Sequence, residues 1–381
     1  IKMKFFINSY FGDNQSIGLL SHIKKRLPYG MDDQWMVFSH YTERGWTVDN
    51  LWHIFTDFYG GQYAPLAFLS YLVLYAGFGY DPFYFHMFSL LLHIGCVCLV
   101  WKLISSLLRV HGGVSEKQIL YVNFITTLLF AVHPINVEAV AWISALKVLL
   151  YAFFYLLGLL CYLRYIRTSK IFYYVLTIGC FLCSFWGKEQ AVTFPLALLI
   201  VDWFTNRNMK NLEVWSEKMS FLIMAFFFGI ITVLSQGKGP YEMIFPLYQR
   251  LLFGCFALVE YITKSLLPVN LNFFYPFPIV LGEEPPLHYY LYPVVLLFLM
   301  GWIIAYRNNR YLVFGVLLFL VNLLFSIHLF NMSRHAIVAD RYMYLSYVGI
   351  VFLIANGIWW LRKRLSYFKA ALVFLFFYCW R

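Results

Sequence analysis

Long apolar runs separated by short polar stretches set the pattern of this chain. Runs near 84–108, 118–135, 139–163, 171–186, 190–204, 217–236, 288–305, 311–330, 343–361 and 366–380 each approach the roughly 20 residues that a membrane-spanning helix needs. The segment 62–79 is also apolar, but Pro65 and two glycines predict a short interfacial helix feeding the first span. Residues 248–267 have spanning length, yet Arg250, Glu260 and Lys264 interrupt them. Counted as a full crossing, they would put Arg307 and Arg310 on the wrong side, so a re-entrant helix or one lying along the outer interface is expected. The Pro- and aromatic-rich stretch 268–293 then belongs to an outer loop, and no internal repeat is visible. The expected fold is an all-α, polytopic membrane bundle of about 10–12 spans with a long first outer loop. Two regions follow: an outer segment, 1–83, and a polytopic domain, 84–381, whose outer loop 237–287 holds the re-entrant candidate.

Composition agrees with the pattern. Of 381 residues, 62% are hydrophobic and only 12% charged, where a soluble domain carries roughly 25%. The net charge of +11 does not point to nucleic acid, because the basic residues form no single patch. They occupy alternate loops: Lys102, Arg109 and Lys117; Arg164, Arg167 and Lys170; Arg207, Lys210 and Lys218; Arg307 and Arg310; Arg362, Lys363, Arg364 and Lys369. By the positive-inside rule that side is cytoplasmic. Only Glu116, Asp202, Glu213 and Glu217 among the acids share it. The first 30 residues are too polar to span and show no cleavable signal peptide. With Ile1 at one end and an apolar run reaching Arg381 at the other, the chain reads as part of a longer protein. The seven cysteines lie almost entirely in apolar runs and read as small buried hydrophobes, Cys180 and Cys183 included.

Four polar clusters fall on the outer side. Asp32 and Asp33 are adjacent carboxylates in GMDDQWM; burial raises the pKa of one of such a pair, and a carboxylate beside an acceptor hydroxyl can act as general base. A solvated turn or helix cap is the plainer reading. In AVHPINVEAVAW, His133 and Glu138 flank a turn, and Lys147 follows inside an apolar run. Such groups face protein or a cavity rather than lipid, and Lys147 needs an anion, which a lipid phosphate would supply. Lys188 and Glu189 end another span, as interfacial charges if nothing more. In SRHAIVADRYMYLS, Arg334, His335, Asp340 and Arg341 enter a span, and arginine's forked donors suit phosphate, unless Asp340 and Arg341 serve structure alone. His86 and His93 share a helix face but make no metal site by themselves.

Four stretches together resemble a known family: QYAPLAFLSYLVLYAGFGYDPFYFHMFSLLLH, FAVHPINVEAVAWISALKVLLYAFFYLLGLLCYLRY, GKEQAVTFPLALLIVDWF and ADRYMYLSYVGI. Their order is similar to that in bacterial relatives of the transmembrane and tetratricopeptide-repeat-containing (TMTC) O-mannosyltransferases, of the GT-C glycosyltransferase superfamily. The resemblance runs from about Asp32 to Gly349 and implies a GT-C bundle whose first outer loop carries an acidic pair, here Asp32 and Asp33, with Asp32 favoured as catalytic base. It also implies a polyprenyl-phosphate sugar donor. In many relatives the segment matching Leu146-Lys147-Val148 reads Arg-Lys-Asp, so this chain lacks an acid at Val148. Tetratricopeptide repeats would begin beyond Arg381.

The expected activity is inverting transfer of a sugar to an acceptor hydroxyl, on protein Ser/Thr or on a glycan, at the outer membrane face. Arg341, Lys188, Glu189, Lys147, His133, Glu138 and Arg334 would surround the donor's phosphate and sugar. No cofactor is demanded, although Asp32 and Asp33 are where a divalent cation would sit. The bacterial inner membrane is the expected location, with the endoplasmic reticulum as alternative, and an envelope complex is a candidate partner. Two rival readings are a non-catalytic subunit of such a complex and a lipid or solute transporter. The transporter suits less well, because its charges would gather near the midplane of repeated halves.

Overall fold

A computed structural model describes residues 32–236, 245–272, 274–329 and 336–364. The expected span 366–380, together with Arg334 and His335, lies outside these residues.

The outer segment opens with two short helices, Asp33–Met36 and His40–Glu43, followed by α1 (Val48–Thr56). Thr47 caps α1 by accepting from the Asn50 amide at 3.1 Å. The buried Asn50 side chain then donates to the Tyr41 and Gly45 carbonyls, both at 2.8 Å, and ties α1 to the turn before it. Helix α2 (Pro65–Phe78) falls in the stretch where a short helix is expected and starts on Pro65 itself. At the first helical position proline costs no hydrogen bond, and Gly79, with φ of +61°, ends the helix.

The bundle follows with α3 (Pro82–His111), α4 (Glu116–Val132), α5 (Leu146–Thr168), α6 (Ile171–Gly187), α7 (Phe194–Phe204), α8 (Leu212–Gln236), α9 (Leu247–Leu266), α10 (Leu291–Ala305), α11 (Arg310–Leu323) and α12 (Met343–Arg364). Strand β1 (Tyr275–Pro276) pairs antiparallel with β2 (Ala336–Val338). The all-α, multi-pass class is therefore as expected. Among the described residues five helices are long and apolar enough to span, or six if the pair bent by 49° at His133–Pro134 counts once. Three expected spans are short helices. Helix α6 has 17 residues, α11 has 14 and α7 has 11, and at 1.5 Å per residue none reaches the roughly 30 Å of a hydrocarbon core. In the run 190–204 a 3₁₀ turn over Glu189–Thr193 takes up the first residues before Pro195 opens α7. The interrupted run 248–267 forms one unbroken helix, α9, packed on α10 and α12.

Close packing in the bundle rests on small residues. A Cβ on Gly187 would lie 2.7 Å from the Tyr151 backbone nitrogen, so only glycine lets α6 meet α5 there. Ser184, three residues earlier, donates to the Tyr151 carbonyl at 2.9 Å.

Contacts between elements sort the loops into two ends. His111 Nδ1 donates to the Phe204 carbonyl at 2.8 Å, and Arg310 to that of Trp203 at 3.1 Å, which joins the ends of α3 and α7 to the start of α11. At the other end Tyr71 donates to the Ile143 carbonyl at 2.9 Å, and Gln190 to Ser326 at 2.7 Å. The first group lies among the basic loops and the second among the acidic ones.

Candidate functional site

The end of the bundle away from the basic loops gathers most of the expected residues. Asp33 begins its short helix with only 1% of its surface exposed. Its Oδ1 accepts from the Ser144 amide at 3.0 Å and also from the Ser144 hydroxyl. Oδ2 is buried without a hydrogen-bond partner among the described residues, and the Trp142 indole approaches the carboxylate without closing a bond. Burial outweighs the two Ser144 donors and pushes the Asp33 carboxyl up to about 6. Asp32 is only half-buried, and its carboxylate makes no hydrogen bond or ion pair with the described residues. It lies within electrostatic reach of Lys147 and Arg341. The adjacent acids thus differ: one is gripped and desolvated, the other free to meet a ligand.

Lys147 stands in the first turn of α5 with 5% of its surface exposed. The helix begins only after a 3₁₀ turn over Ile143–Ala145, which places Ser144 and Lys147 on the same side as the acidic pair. Its ammonium donates to Gln62 Oε1 at 2.5 Å and meets Met36 Sδ at 3.5 Å, with the Trp35 ring 6.0 Å away. All of these partners are neutral, and no carboxylate among the described residues forms an ion pair with it. Asp32 and Glu189 act on its charge only from a distance. A buried ammonium held in this way is costly, and an incoming anion would offset that cost.

Arg341 is differently placed. Its guanidinium pairs with Glu138 at 2.5 Å, and its backbone amide donates to the same carboxylate at 2.7 Å. The Trp142 and Tyr342 rings lie 4.9 and 5.0 Å from the guanidinium carbon. The arginine expected to meet phosphate is therefore largely engaged, and Glu138 is its counter-ion. Lys188 is buried with its ammonium 4.6 Å from the Tyr342 ring centre. Glu189 is half-buried and forms no ion pair with the described residues. His133 does local work: Nδ1 accepts from the Ile135 amide at 3.3 Å and caps the bend, while the ring packs on Tyr347. Beside this cluster Asp340 accepts from Tyr275 OH through both oxygens at 3.0 Å, and Lys264 donates to that phenol at 3.1 Å.

His93, expected to pack rather than react, bonds Tyr344 OH at 2.7 Å and the Ala131 carbonyl at 3.1 Å inside the bundle. Ser144, Gln62, Tyr342 and Tyr275 were absent from the sequence-derived set. Ser144 and Gln62 carried one faint signal, a polar residue isolated beside an apolar run. Among the described residues no three His, Cys, Asp or Glu side chains converge in a way suited to a metal. A cation at the acidic pair would lean on Asp32 and Asp33 with water or ligand oxygens.

Over 189 residues, 45% of its length, the chain is 32% identical to Protein O-mannosyl-transferase TMTC2 of Mus musculus. It is 31% identical over 167 residues to Protein O-mannosyl-transferase TMTC4 of Homo sapiens, covering 38% of this chain. With Protein O-mannosyl-transferase Tmtc3 of Drosophila melanogaster it shares 28% identity over 172 residues, 40% of this chain. The matched parts amount to 21%, 22% and 18% of those proteins, so the chain spans about a fifth of the length of the curated relatives it matches. No family model matches, and no solved structure does. The resemblance to TMTC O-mannosyltransferases drawn from the four stretches is supported by this similarity.

Proposed function

We propose that the chain is the membrane domain of an inverting glycosyltransferase of GT-C type, which moves a sugar from a polyprenyl-phosphate donor to a hydroxyl of a protein Ser or Thr. The observation that carries this reading is Lys147, a buried cation with neutral partners, close to a carboxylate that is not held. The similarity to O-mannosyl-transferases favours mannose as the sugar. In the proposed cycle the donor phosphate settles beside Lys147, with Lys188 nearby. Asp32 takes the proton of the incoming hydroxyl as its oxygen attacks the anomeric carbon, and the bond from that carbon to the phosphate oxygen breaks. The electron pair leaves on the phosphate, where the lysine stabilises it. Asp33, gripped by Ser144, fixes the loop that carries Asp32, and Arg341 with Glu138 fixes the facing loop. The active face is opposite the basic loops: periplasmic in a bacterial inner membrane, lumenal in the endoplasmic reticulum.

The test is sugar transfer from radiolabelled polyprenyl-phosphate sugars in proteoliposomes, with Asp32→Asn and Asp33→Asn beside the wild type. Asp32→Asn should lower transfer by about 10²- to 10⁴-fold, the usual worth of a general base, with donor binding kept. Full activity in Asp32→Asn removes that residue as the base. A folded wild type that binds no polyprenyl-phosphate sugar removes the reading altogether.

A further inference from the structure

The outer segment holds a cleft that the proposed chemistry does not use. It has a volume of about 300 Å³ and is lined by His40, Tyr41, Thr56, Asp57, Phe58 and Tyr59, which places it at the small end of ligand pockets. The Tyr41 and Tyr59 rings lie 5.5 Å apart, and His40 is 3.9 Å from the first and 5.0 Å from the second. Asp57 presents a carboxylate at the rim. Its Oδ2 accepts from Tyr41 OH and from His53 Nδ1, both at 3.1 Å. Oδ1 has only a long 3.5 Å contact with the Thr56 hydroxyl. Burial and the neighbouring Arg44 hold the His40 imidazole below its ordinary range, so it adds no charge at neutral pH.

The charge balance selects the ligand. Between residues 32 and 81 the sequence holds six carboxylates and a single arginine, Arg44, in a chain whose net charge is +11. A cleft lined by the part-exposed Tyr59 and His40 rings and the Asp57 carboxylate favours a cation, which gains from the Tyr59 ring face and from the ion pair together. The cleft also adjoins the candidate active site. Tyr59 packs 5.9 Å from Trp35, and Trp35 is the ring beside the Lys147 ammonium.

We infer that this cleft is an acceptor subsite that takes a lysine or arginine side chain of the polypeptide whose Ser or Thr is modified. The inference rests on the transferase reading, since it assigns the acceptor of that same site. It makes acceptor choice depend on a basic residue near the modified hydroxyl, with Asp57 and Tyr59 as specificity-determining residues.

Binding and transfer separate the two claims. The probe is a fluorescent peptide with one Thr and one Lys a few residues away, alongside a copy with Gln in place of Lys. Anisotropy with the full chain in nanodiscs reads affinity without any donor. The Lys peptide should bind roughly tenfold more tightly than the Gln peptide, as a cation–π contact together with an ion pair gives. Asp57→Asn, which keeps an acceptor for Tyr41, and Tyr59→Leu should each erase that preference and leave the Gln peptide unchanged. Equal affinity of the wild type for both peptides overturns the subsite, as does a preference that survives both substitutions. Lys-selective binding with no transfer from any donor faults the transferase reading and leaves the cation-binding cleft in place.

Discussion

The two ends of the bundle each bury ionisable side chains, and they neutralise them in different ways. At the end carrying the basic loops, Asp202 and Lys218 are both fully buried and 2.5 Å apart. Tyr162 OH donates to both Asp202 oxygens at 2.8 Å. Arg207 bridges from Asp202 at 3.2 Å to Glu217 at 2.7 Å, and Glu217 also accepts from Tyr165 OH at 3.1 Å. Two acids meet two bases, and a phenol closes the set. At the opposite end Glu138 and Arg341 are closed in the same manner, but around them the pattern fails. Among the described residues, one Asp33 oxygen has no hydrogen-bond partner, Lys147 has neutral partners only, and the carboxylates of Asp32 and Glu189 form no ion pair. Buried charge is expensive in both places. Where the protein supplies every counter-charge, the set serves the fold. Where it leaves one side open, a ligand can complete it.

The sharpest way to break this comparison is to open the closed end. Asp202→Ala leaves Lys218 and Arg207 without their buried partner, and losing one member of such a set costs about 3–5 kcal/mol. Thermal unfolding of the purified protein should show a large fall in the midpoint. An Asp202→Ala protein as stable as the wild type would mean that the network is not what holds α7 to α8.

The converse substitution acts at the open end. Lys147→Met removes a buried cation and leaves the Gln62 carbonyl and a thioether, neither of which is charged. The unfolding midpoint should stay level or rise, while transfer falls by about 10²- to 10³-fold, the range for one group that stabilises a leaving charge. A Lys147→Met protein that loses stability and keeps its activity would make this lysine a structural strut.

That contrast also marks how far sequence could lead. The apolar runs located nearly every described helix, and isolation within a run marked Lys147 as unusual before any contact was known. Partner choice was not legible. Glu138 and Arg341 are 203 residues apart, and Asp33 and Ser144 are 111 apart, so no local period links them. Arg341 looked like a phosphate ligand because its fork suits one, and the same fork suits Glu138. Hydropathy does not register a 3₁₀ turn such as Glu189–Thr193 or the bend at His133–Pro134, so the breaks inside those runs were not legible either. The link of Lys264 and Tyr275 to Asp340 was not legible for a related reason: it depends on the β1–β2 pairing, which brings residues 275 and 338 together.

The smallest effect tests the gripped carboxylate itself. Burial raises Asp33 from 3.8 to about 6, so the native chain holds that proton more tightly than the unfolded chain. Asp33 therefore favours the fold most below about pH 4, and this contribution is lost as pH rises through 6. Asp33→Asn should flatten that part of the stability profile. Ser144 works against burial, because its hydroxyl and amide both donate to Oδ1 and favour the ionised form. Ser144→Ala keeps the amide and deletes the hydroxyl, at a cost of about 1 kcal/mol for one hydrogen bond. A bond to a charged acceptor is worth more than one to a neutral acid, so the cost should be larger at pH 8 than at pH 5. The Asp33 midpoint should accordingly move up, by the difference between the two costs. Unfolding followed at both pH values in wild type and Ser144→Ala measures this directly. Equal costs at pH 5 and pH 8 would show that Ser144 does not hold an ionising group, and the open end would then lose its fixed point beside Asp32.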